Sequence, residues 1–388
     1  MNVLFAYNGR VEVDEQGLFY GNELNDKLVE RYRFFGEQVT FLVRTRPISA
    51  KERAALIPFS STRFSIIGLP EINSPALYFK KSSELNERVE AAVKQADVLV
   101  ARLPSLIGRR AIFYARKYKK PYLVEAVGCP WDALWNHSML GKLVAPYGFR
   151  AMKKYIKDAP YVLYVTNRFL QERYPTSGKS VGVSDVVLDP VSEDVLKKRL
   201  AKIEAYTGNE TWVLGTAAGL DVKYKGQQYV ISAVANLAQK GKHFLYKVVG
   251  KGRGSYLKSV IQQTGAAQTV EIVGQLPHHK VFDFIDDIDI YIQPSKQEGL
   301  PRAVVEAMSR ACPCLGSRTG GIPELLPDEF IFSKGNVGEI ENILKNLSKE
   351  SLLKMARGNF EKVKEFTPEK LDAKRMEFYR MFRDSYKK

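Results

Sequence analysis

The sequence predicts an α/β fold built from two doubly wound parallel sheets. Apolar strand-like runs alternate with amphipathic helical patterns along almost the whole chain, and strands separated by helices are typical of parallel βαβ units. The alternation occurs in two series, and 388 residues suffice for two domains at about 150 residues each. We therefore expect a first domain over residues 1–200, a second over 201–365 and a final helix over 366–388.

The first series consists of short apolar runs and the helical patterns that separate them. The strand predictions rest on runs of four to seven residues rich in branched and aromatic side chains. The helix predictions rest on apolar residues that recur every three to four positions. The predicted strands are 2–7, 38–44, 97–101, 121–125 and 161–165, and the predicted helices are 22–35, 83–95, 106–118 and 167–174.

The second series repeats the pattern after a charged, helical linker at 192–203 that continues through residues 207–209. Its last helix, 368–386, is amphipathic and follows all the strands of the second domain. The predicted strands are 212–216, 243–249, 269–273, 289–293 and 313–316, and the predicted helices between them are 227–240, 254–264, 278–285, 302–310 and 337–347.

The composition is that of an ordinary globular protein, with 45% hydrophobic and 26% charged residues. Cys129, Cys312 and Cys314 form neither a disulfide framework nor a metal-ligand spacing. The first residues lack a signal-peptide pattern, and no apolar run approaches the roughly 18 residues of a spanning helix. We expect a cytoplasmic protein, in solution or peripheral on the inner face of the cell membrane.

The net charge of +16 is unevenly distributed, because residues 102–157 contain twelve basic and two acidic side chains. Such a segment indicates an anionic partner, which could be a lipid surface, a phosphorylated acceptor or nucleic acid. Within it, residues 139–157 mix apolar and basic side chains. They could lie on an anionic membrane or form a helix packed on the first domain with a solvated basic face. No nucleic-acid reader motif accompanies the charge, so we expect no nucleic-acid partner.

The most informative stretch is QPSKQEGLPRAVVEAM, residues 293–308. Pro301 suits the first turn of a helix, and Gly299 allows close approach of a ligand to the backbone. The free N–H groups at such a helix start bind anions. Glu298 lies beside that point, and Glu306 lies about 8 Å further along the helix. A diphosphate there would have one carboxylate near a sugar and the other near a ribose, which suits a nucleotide-sugar.

Other polar or glycine-rich loops follow the predicted strands of the second domain. Lys223 and Lys225 follow the first strand, Gly250 ends the next, Leu276 follows the third, and Gly320 and Gly321 come after the last. In open parallel sheets, ligands bind outside the carboxyl ends of the strands. These loops therefore predict one site at that sheet edge.

Together, these motifs resemble the family 4 retaining glycosyltransferases, especially bacterial members that build capsular, exopolysaccharide or O-antigen chains. The resemblance is dense over residues 213–326 and extends through 124–132 and 164–170. It implies the GT-B architecture, with two Rossmann-like domains facing across a cleft and the last helix returning to the first domain. It also implies metal-independent, retaining transfer, without a cofactor, from a UDP- or GDP-sugar to a lipid-linked or polysaccharide acceptor.

The resemblance implies a role for each matching residue. Glu298 would hold donor-sugar hydroxyls, Glu306 would bind the nucleotide ribose, and Lys225 would neutralise the leaving diphosphate. The remaining donor positions are the backbone N–H groups of Gly299 and Leu300 at the diphosphate, and Gly250 and Leu276 at the nucleoside.

Two departures from the family pattern stand out. Many members place an arginine shortly before the lysine, whereas residues 215–220 read GTAAGL. Lys223 is the candidate for this second positive charge. The other departure is Ala311, at a position where glycine is common.

The first domain offers weaker candidates. Arg102 follows a strand and could contact an acceptor phosphate. The family often has a histidine near the donor sugar just after a first-domain strand, but residues 125–132 contain none. Glu125, Asp132 and His137 are therefore the candidates for acceptor or sugar contact.

Other interpretations of the same sequence remain open. Asp287 and Asp289 could form a metal-binding Asp-x-Asp or an entry turn into a strand, and His278 and His279 could bind metal or lie at a helix start as capping or surface residues. No marker indicates an epimerase or a phosphorylase of the same fold. A catalytically silent nucleotide-sugar-binding protein is the main alternative function.

Overall fold

The computed structural model describes residues 1–21, 24–53, 56–70, 75–208 and 211–387, and the chain divides into two compact units. One comprises Met1–Pro130, Tyr147–Val183 and Lys374–Lys388, and the other comprises Trp131–Pro146 and Ser184–Ala373. The predicted boundaries put 131–146 and 184–200 in the first domain. Asn22, the first residue of a predicted helix, and Asn209, the last residue of the predicted linker, lie outside the described residues.

The elements of the first half alternate as predicted, with short strands added. The strands are β1 (Asn2–Val13), β2 (Phe19–Gly21), β3 (Gln38–Pro47), β4 (Ile57–Pro58), β5 (Phe64–Leu69), β6 (Val98–Leu103), β7 (Tyr122–Ala126), β8 (Tyr161–Tyr164) and β9 (Lys179–Gly182). The helices are α1 (Asp26–Tyr32), α2 (Ala50–Arg53), α3 (Pro75–Gln95), α4 (Leu106–Lys117), α5 (Pro130–Trp135), α6 (Met139–Lys157) and α7 (Phe169–Arg173).

A parallel sheet in the order β5-β3-β1-β6-β7-β8-β9 forms the centre of the first unit. The first strand is longer than predicted, because after a register shift Arg10–Val13 pair with Arg44–Pro47. Glu12 and Val13 also pair antiparallel with β2, which in turn pairs with β4. The strands β2 and β4 have only three and two residues, too few to show the apolar run by which the buried strands were recognised.

The second half begins with a linker helix and forms the second sheet. The elements are α8 (Glu193–Glu204), β10 (Trp212–Ala217), α9 (Gln227–Gln239), β11 (Phe244–Val249), α10 (Ser255–Thr264), β12 (Val270–Gly274), α11 (His278–Asp287), β13 (Ile290–Gln293), α12 (Arg302–Ser309), β14 (Cys314–Ser317), β15 (Ile331–Phe332), α13 (Val337–Asn346), α14 (Lys349–Val363) and α15 (Pro368–Tyr386).

The second sheet has the order β12-β11-β10-β13-β14-β15, and every pair is parallel. The order reverses direction from β10 outward, as in a doubly wound sheet. Its core combines Val230, Ile231 and Val234 of α9 with Tyr246 and Val248 of β11. The five predicted strands are all present as β10 to β14, because each is a mostly apolar run, although Glu271 and Val273 of β12 are exposed.

The last helix packs on the first unit from Lys374 onward, as the fold class predicts. Phe378, Tyr379 and Phe382 are buried there. The Tyr379 ring lies 4.7 Å from that of Phe35, and the Phe382 ring lies 5.1 Å from that of Tyr161. Burying a side chain of this size stabilises a fold by about 1.5–3 kcal/mol.

Ala311 has a backbone φ of +48°, in the left-handed region, and its side chain is buried. A residue with a Cβ is strained there by about 1–2 kcal/mol. This geometry explains why glycine is favoured at the position. No helix in the described ranges combines the length and the apolar character that a membrane span requires.

Candidate functional site

The predicted loops follow the carboxyl ends of neighbouring parallel strands in the second unit. Residues 218–226 follow β10, residues 250–254 follow β11, residues 275–277 follow β12, and residues 294–301 follow β13. Because all these strands point the same way, their carboxyl ends meet at one edge of the sheet. The sheet therefore brings the predicted donor residues to a common edge.

Lys225 and Glu298 are in direct contact at this edge. Lys225 Nζ lies 2.8 Å from Glu298 Oε1, although the two residues are 73 positions apart in the sequence. The lysine is half-buried and the carboxylate is almost completely buried. The two residues that the sequence assigns to the leaving diphosphate and to the donor sugar therefore meet as an ion pair.

A chain of hydrogen bonds fixes the Glu298 carboxylate. Gln293 Nε2 donates to Glu298 Oε1 at 3.1 Å and to Ser295 Oγ at 2.8 Å. The hydroxyl of Tyr291 donates to Gln293 Oε1 at 2.8 Å, and burial raises the pKa of Tyr291 well above its ordinary value. The carboxylate is therefore held by the Gln293 amide as well as by the lysine, and Tyr291 orients that amide.

Close backbone approaches set the position of Lys225. A short 3₁₀ turn over Lys223–Lys225 ends at Gly226, whose φ is +82°. A Cβ on Gly226 would lie 2.0 Å from the carbonyl oxygen of Pro294. Lys296 N also donates to the carbonyl oxygen of Tyr224 at 2.7 Å. The turn that carries Lys225 thus rests directly on the loop that carries Glu298.

The helix start that should receive the diphosphate is present. Helix α12 begins at Arg302, as predicted, and Pro301 is its N-cap without a side-chain hydrogen bond. Gly321 N donates to the carbonyl oxygen of Gly299 at 2.6 Å and so holds the preceding loop, in which Leu300 is half-buried. An uncapped helix N-terminus beside a lysine suits an anion.

Glu306 lies on α12 with only 6% of its surface exposed. Its Oε1 is 3.4 Å from His278 Nε2, and the His278 side chain is 72% exposed. The sequence interpretation left His278 as a metal, capping or surface residue and did not connect it with Glu306. The contact pairs the proposed ribose ligand with a solvent-facing imidazole.

Gly250 lies where β11 ends, and its N–H donates to the carbonyl oxygen of Gly274 at 2.8 Å. A Cβ on Gly250 would lie 1.9 Å from the carbonyl oxygen of Ala218, so no larger residue fits. Leu276 is half-buried in the loop after β12. Both residues predicted to line a nucleoside pocket therefore lie on loops at the same edge.

Lys223 has a different partner from Lys225. Its Nζ lies 4.4 Å from the centre of the Tyr256 ring on α10, a cation–π geometry. The structure therefore directs Lys223 to α10, whereas Lys225 contacts Glu298. The assignment of Lys223 as the second cation at the diphosphate stays a prediction.

Arg102 and Glu125 form a buried network inside the first unit. Arg102 donates to Glu125 Oε2 at 2.7 and 3.0 Å, and Tyr32 donates to the same oxygen at 2.9 Å. Tyr379 donates to Oε1 at 3.0 Å. Burial raises the pKa of both tyrosines well above the ordinary value, with the Glu125 charge adding to the effect. Only 2% of the Glu125 surface is exposed, so a sugar hydroxyl could reach the carboxylate only if this network opened.

Asp132 and His137 lie in a segment that belongs to the second unit. Asp132 is buried in α5, and His137 is exposed just after it. Between them, Asn136 Nδ2 donates to the carbonyl oxygens of Asp132 at 2.9 Å and of Lys296 at 3.3 Å. Asn136, which was not predicted, therefore contacts the loop that carries Glu298.

Asp289, one of the two acids of the Asp-x-Asp sequence, makes contacts within the protein. Asp289 accepts from Val213 N at 2.8 Å, pairs with Lys202 Nζ at 2.9 Å and contacts Tyr206 OH. It therefore ties the linker helix to the second sheet at the start of β13. In the described ranges, no group of three or more histidine, cysteine or acidic residues could hold a metal ion.

Residues 213–362 match the family model described as glycosyl transferases group 1. This range includes Lys223, Lys225, Glu298 and Glu306. The protein is a glycosyltransferase with a group 1 domain. The matched range contains the sheet edge at which the predicted donor residues meet.

Curated relatives of this glycosyltransferase fall into long and partial matches. Protein CapJ of Staphylococcus aureus is 26% identical over 347 residues, which cover 89% of this chain and 85% of CapJ. The putative colanic acid biosynthesis glycosyltransferase WcaL of Escherichia coli K12 is 34% identical over 109 residues. That match covers 26% of this chain, and the chain spans about a quarter of WcaL, 27%.

Solved structures show the fold of this glycosyltransferase. Sucrose-phosphate synthase from Thermosynechococcus elongatus superposes with a TM-score of 0.67 at 14% identity, covering 99% of each chain. Anabaena HepE in complex with UDP gives 0.62 at 14% identity, covering 98% of this chain and 100% of HepE. The glycosyltransferase therefore has the GT-B fold.

Proposed function

We propose that this glycosyltransferase moves a sugar from a UDP- or GDP-sugar to a lipid-linked or polysaccharide acceptor, with retention of anomeric configuration and without a metal. The observation that carries the proposal is the Lys225–Glu298 contact beside the uncapped start of α12. A cation and a helix N-terminus suit a diphosphate, and the adjacent carboxylate suits sugar hydroxyls.

The donor assignment has support from the solved neighbours. Anabaena HepE is seen in complex with UDP and, separately, with UDP-glucose. In this chain, Glu306 would accept hydrogen bonds from the ribose, while Gly250 and Leu276 border the nucleoside. On donor binding, Lys225 would exchange its contact with Glu298 for the diphosphate, and a sugar hydroxyl would then donate to the carboxylate.

The proposed chemistry follows from where charge develops. As the bond between the anomeric carbon and the diphosphate oxygen breaks, negative charge accumulates on the diphosphate beside Lys225 and α12. Each preorganised donor there is worth about 3 kcal/mol in a water-excluded site. The acceptor hydroxyl attacks on the face that the diphosphate leaves, and a diphosphate oxygen takes its proton. No protein base is then needed.

The biological role is proposed from the relatives. WcaL is named for colanic acid biosynthesis, and other matches are named for amylovoran and teichuronic acid biosynthesis. By analogy, this protein would act in bacterial surface polysaccharide biosynthesis. Such acceptors are often carried on lipids, which favours a location at the inner face of the membrane.

Helix α6 supports a peripheral membrane location. It is continuous through Pro146, and Met152 and Ile156 in its second half are buried. In its first half, Leu140 and Leu143 are exposed, the latter at 79%. The two interpretations of this segment therefore both have support, since one half packs in the protein and the other presents apolar side chains to solvent.

The proposal is tested by assaying transfer from UDP- and GDP-sugars to membrane lipid extracts and to surface polysaccharide, with EDTA present. Product with an unchanged anomeric configuration supports it. Nucleotide binding without transfer to any acceptor would favour the alternative, a catalytically silent nucleotide-sugar-binding protein. Activity that disappears in EDTA and returns with a divalent cation would contradict metal independence.

A further inference from the structure

A groove on the first unit is lined by none of the residues assigned to the donor site. It is formed by α4 and α6 and has a volume of about 440 Å³. Residues 106, 109, 110, 113 and 114 line it from α4, and residues 147, 150, 151, 154 and 155 line it from α6. Both sets follow the i, i+3, i+4, i+7, i+8 spacing of one helix face. The groove is therefore bordered by two complete helix faces.

Four cations line this groove: Arg109, Arg110, Arg150 and Lys154. Arg110 donates to Asn86, and the Arg109 guanidinium lies 5.8 Å from the centre of the Tyr147 ring. Across the described part of the chain, no ion pair joins Arg109, Arg150 or Lys154 to a carboxylate.

Arg109 is half-buried, whereas Arg150 and Lys154 are exposed one turn apart on α6. A partly buried charge is costly unless an opposite charge or hydrogen-bond acceptors meet it. Guanidinium groups bind phosphate through paired N–H donors, and a nearby ammonium adds a point charge. The electrostatics of the groove therefore favour a phosphate group.

Apolar and aromatic side chains accompany the cations. Phe113 is 53% exposed and Tyr147 is 66% exposed, while Leu106 also lines the groove. A free inorganic anion would leave both of these large aromatic rings exposed to water. A ligand with a phosphate and an apolar chain would cover both kinds of surface, because aromatic rings gain from burial against hydrocarbon.

We propose that the α4–α6 groove binds the phosphate headgroup of a lipid, with Arg109, Arg150 and Lys154 on the phosphate and Phe113 and Tyr147 against the start of the apolar chain. This is a second ligand site, formed by other residues than those of the donor site. Lipid binding there does not depend on the proposed sugar transfer.

The test is calorimetric titration of the whole protein with dihexanoyl phosphatidic acid, a water-soluble lipid, and with inorganic phosphate. Three proteins are compared with wild type: Arg109→Gln, the double variant Arg150→Gln/Lys154→Gln and the matched control Lys153→Gln/Lys157→Gln. The control removes two exposed charges at the same spacing on the same helix, but neither residue lines the groove.

We expect the lipid to bind roughly tenfold more tightly than phosphate, and each groove variant to weaken lipid binding by roughly tenfold. The control should change it less than about twofold. If the groove variants and the control lose the same amount of lipid affinity, the binding is diffuse charge attraction and the proposal is overturned. Equal affinity for lipid and phosphate would overturn the lipid assignment, and no lipid binding would overturn the site.

A parallel titration with UDP and GDP separates this proposal from the donor-site proposal. The groove variants should bind the nucleotide as wild type does, because no donor residue is changed. Loss of lipid binding with nucleotide binding intact supports the groove. If wild type binds neither nucleotide but binds the lipid with the expected pattern, the donor assignment fails and the groove stands.

Discussion

At the residue scale, the proposed function depends on a few side chains that are distant in sequence and close in space. Lys225 and Glu298 form an ion pair across 73 positions, and Gln293, itself held by Tyr291, donates to the carboxylate. A fixed carboxylate and a lysine already present in the site are what electrostatic preorganisation requires. The lysine is consequently the residue whose loss should affect turnover most directly.

Replacing Lys225 by Gln should lower kcat by about 10²- to 10³-fold, because one preorganised donor to the leaving diphosphate is lost. Steady-state transfer kinetics with saturating donor provide the measurement. Lys258→Gln, an exposed lysine on α10, is the control and should retain wild-type rates. A Lys225 variant with the kcat of the control would rule out the assigned role.

The two carboxylates should separate binding from turnover. Glu306→Gln should raise the dissociation constant for the nucleoside diphosphate by roughly 10- to 100-fold, since a charged hydrogen bond is worth about 1.5–3 kcal/mol. Glu298→Gln should mainly lower kcat. Calorimetry and transfer assays on both variants, with the exposed Glu271→Gln as control, test this division. Unchanged behaviour of both variants would contradict the site assignment.

The sequence predicted the spatial grouping of the donor-site candidates better than the surroundings of the acceptor-site candidates. Glu298, Gly299 and Glu306 belong to one local motif, and strand order alone brings Lys225 to the same edge. Glu125 belongs to no such motif. Its buried partners Tyr32 and Tyr379 come from distant elements, and no local pattern could reveal them.

At the element scale, the short turn over Lys223–Lys225 controls the position of the catalytic lysine candidate. Gly226→Ala should lower kcat strongly, because a Cβ there meets Pro294 O and moves the turn. Gly241→Ala is the matched control, since Gly241 has a φ of +76° but nothing within 4 Å of its Cβ position. The control should cost only about 1 kcal/mol of stability. Equal kcat in both variants would contradict the claim that this turn sets the position of Lys225.

The last helix offers a stability test of its packing on the first unit. Tyr379→Phe should lower the free energy of unfolding by about 1.5–3 kcal/mol, since a hydrogen bond to the Glu125 carboxylate is lost. Tyr386→Phe is the matched control on the same helix, because its buried hydroxyl has no hydrogen-bond partner within the described residues. Urea unfolding measures both. A Tyr379 variant as stable as the control would contradict the network.

Longer, mostly apolar strands were predictable, and very short or polar strands were not. Strands β10 to β14 of the second sheet are runs of four to six mostly apolar residues, so each was recognised from composition. The strands β2, β4 and β15 have only two or three residues each, and β5 and β9 are polar or glycine-containing. Pairing with a neighbouring strand, rather than local propensity, makes these segments extended.

At the scale of the whole molecule, different sequence features indicate the sugar donor and the anionic partner. The proposed donor site lies at a sheet edge within residues 213–362, the range that matches the group 1 model. The partner side is marked by charge, with twelve basic residues between 102 and 157. The GT-B fold provides the sheet edge of the proposed donor site, while the groove of α4 and α6 is characterised by its charged and aromatic lining.

The central claim is that Lys225, Glu298 and Glu306 form a nucleotide-sugar site. Its most direct test is thermal unfolding of wild type and Glu306→Gln with UDP, GDP, ADP and CMP in the presence of EDTA. We predict that one nucleoside diphosphate raises the Tm of wild type in proportion to the logarithm of its concentration, and that Glu306→Gln loses most of the shift. No shift with any nucleotide, or equal shifts in both proteins, would contradict the claim.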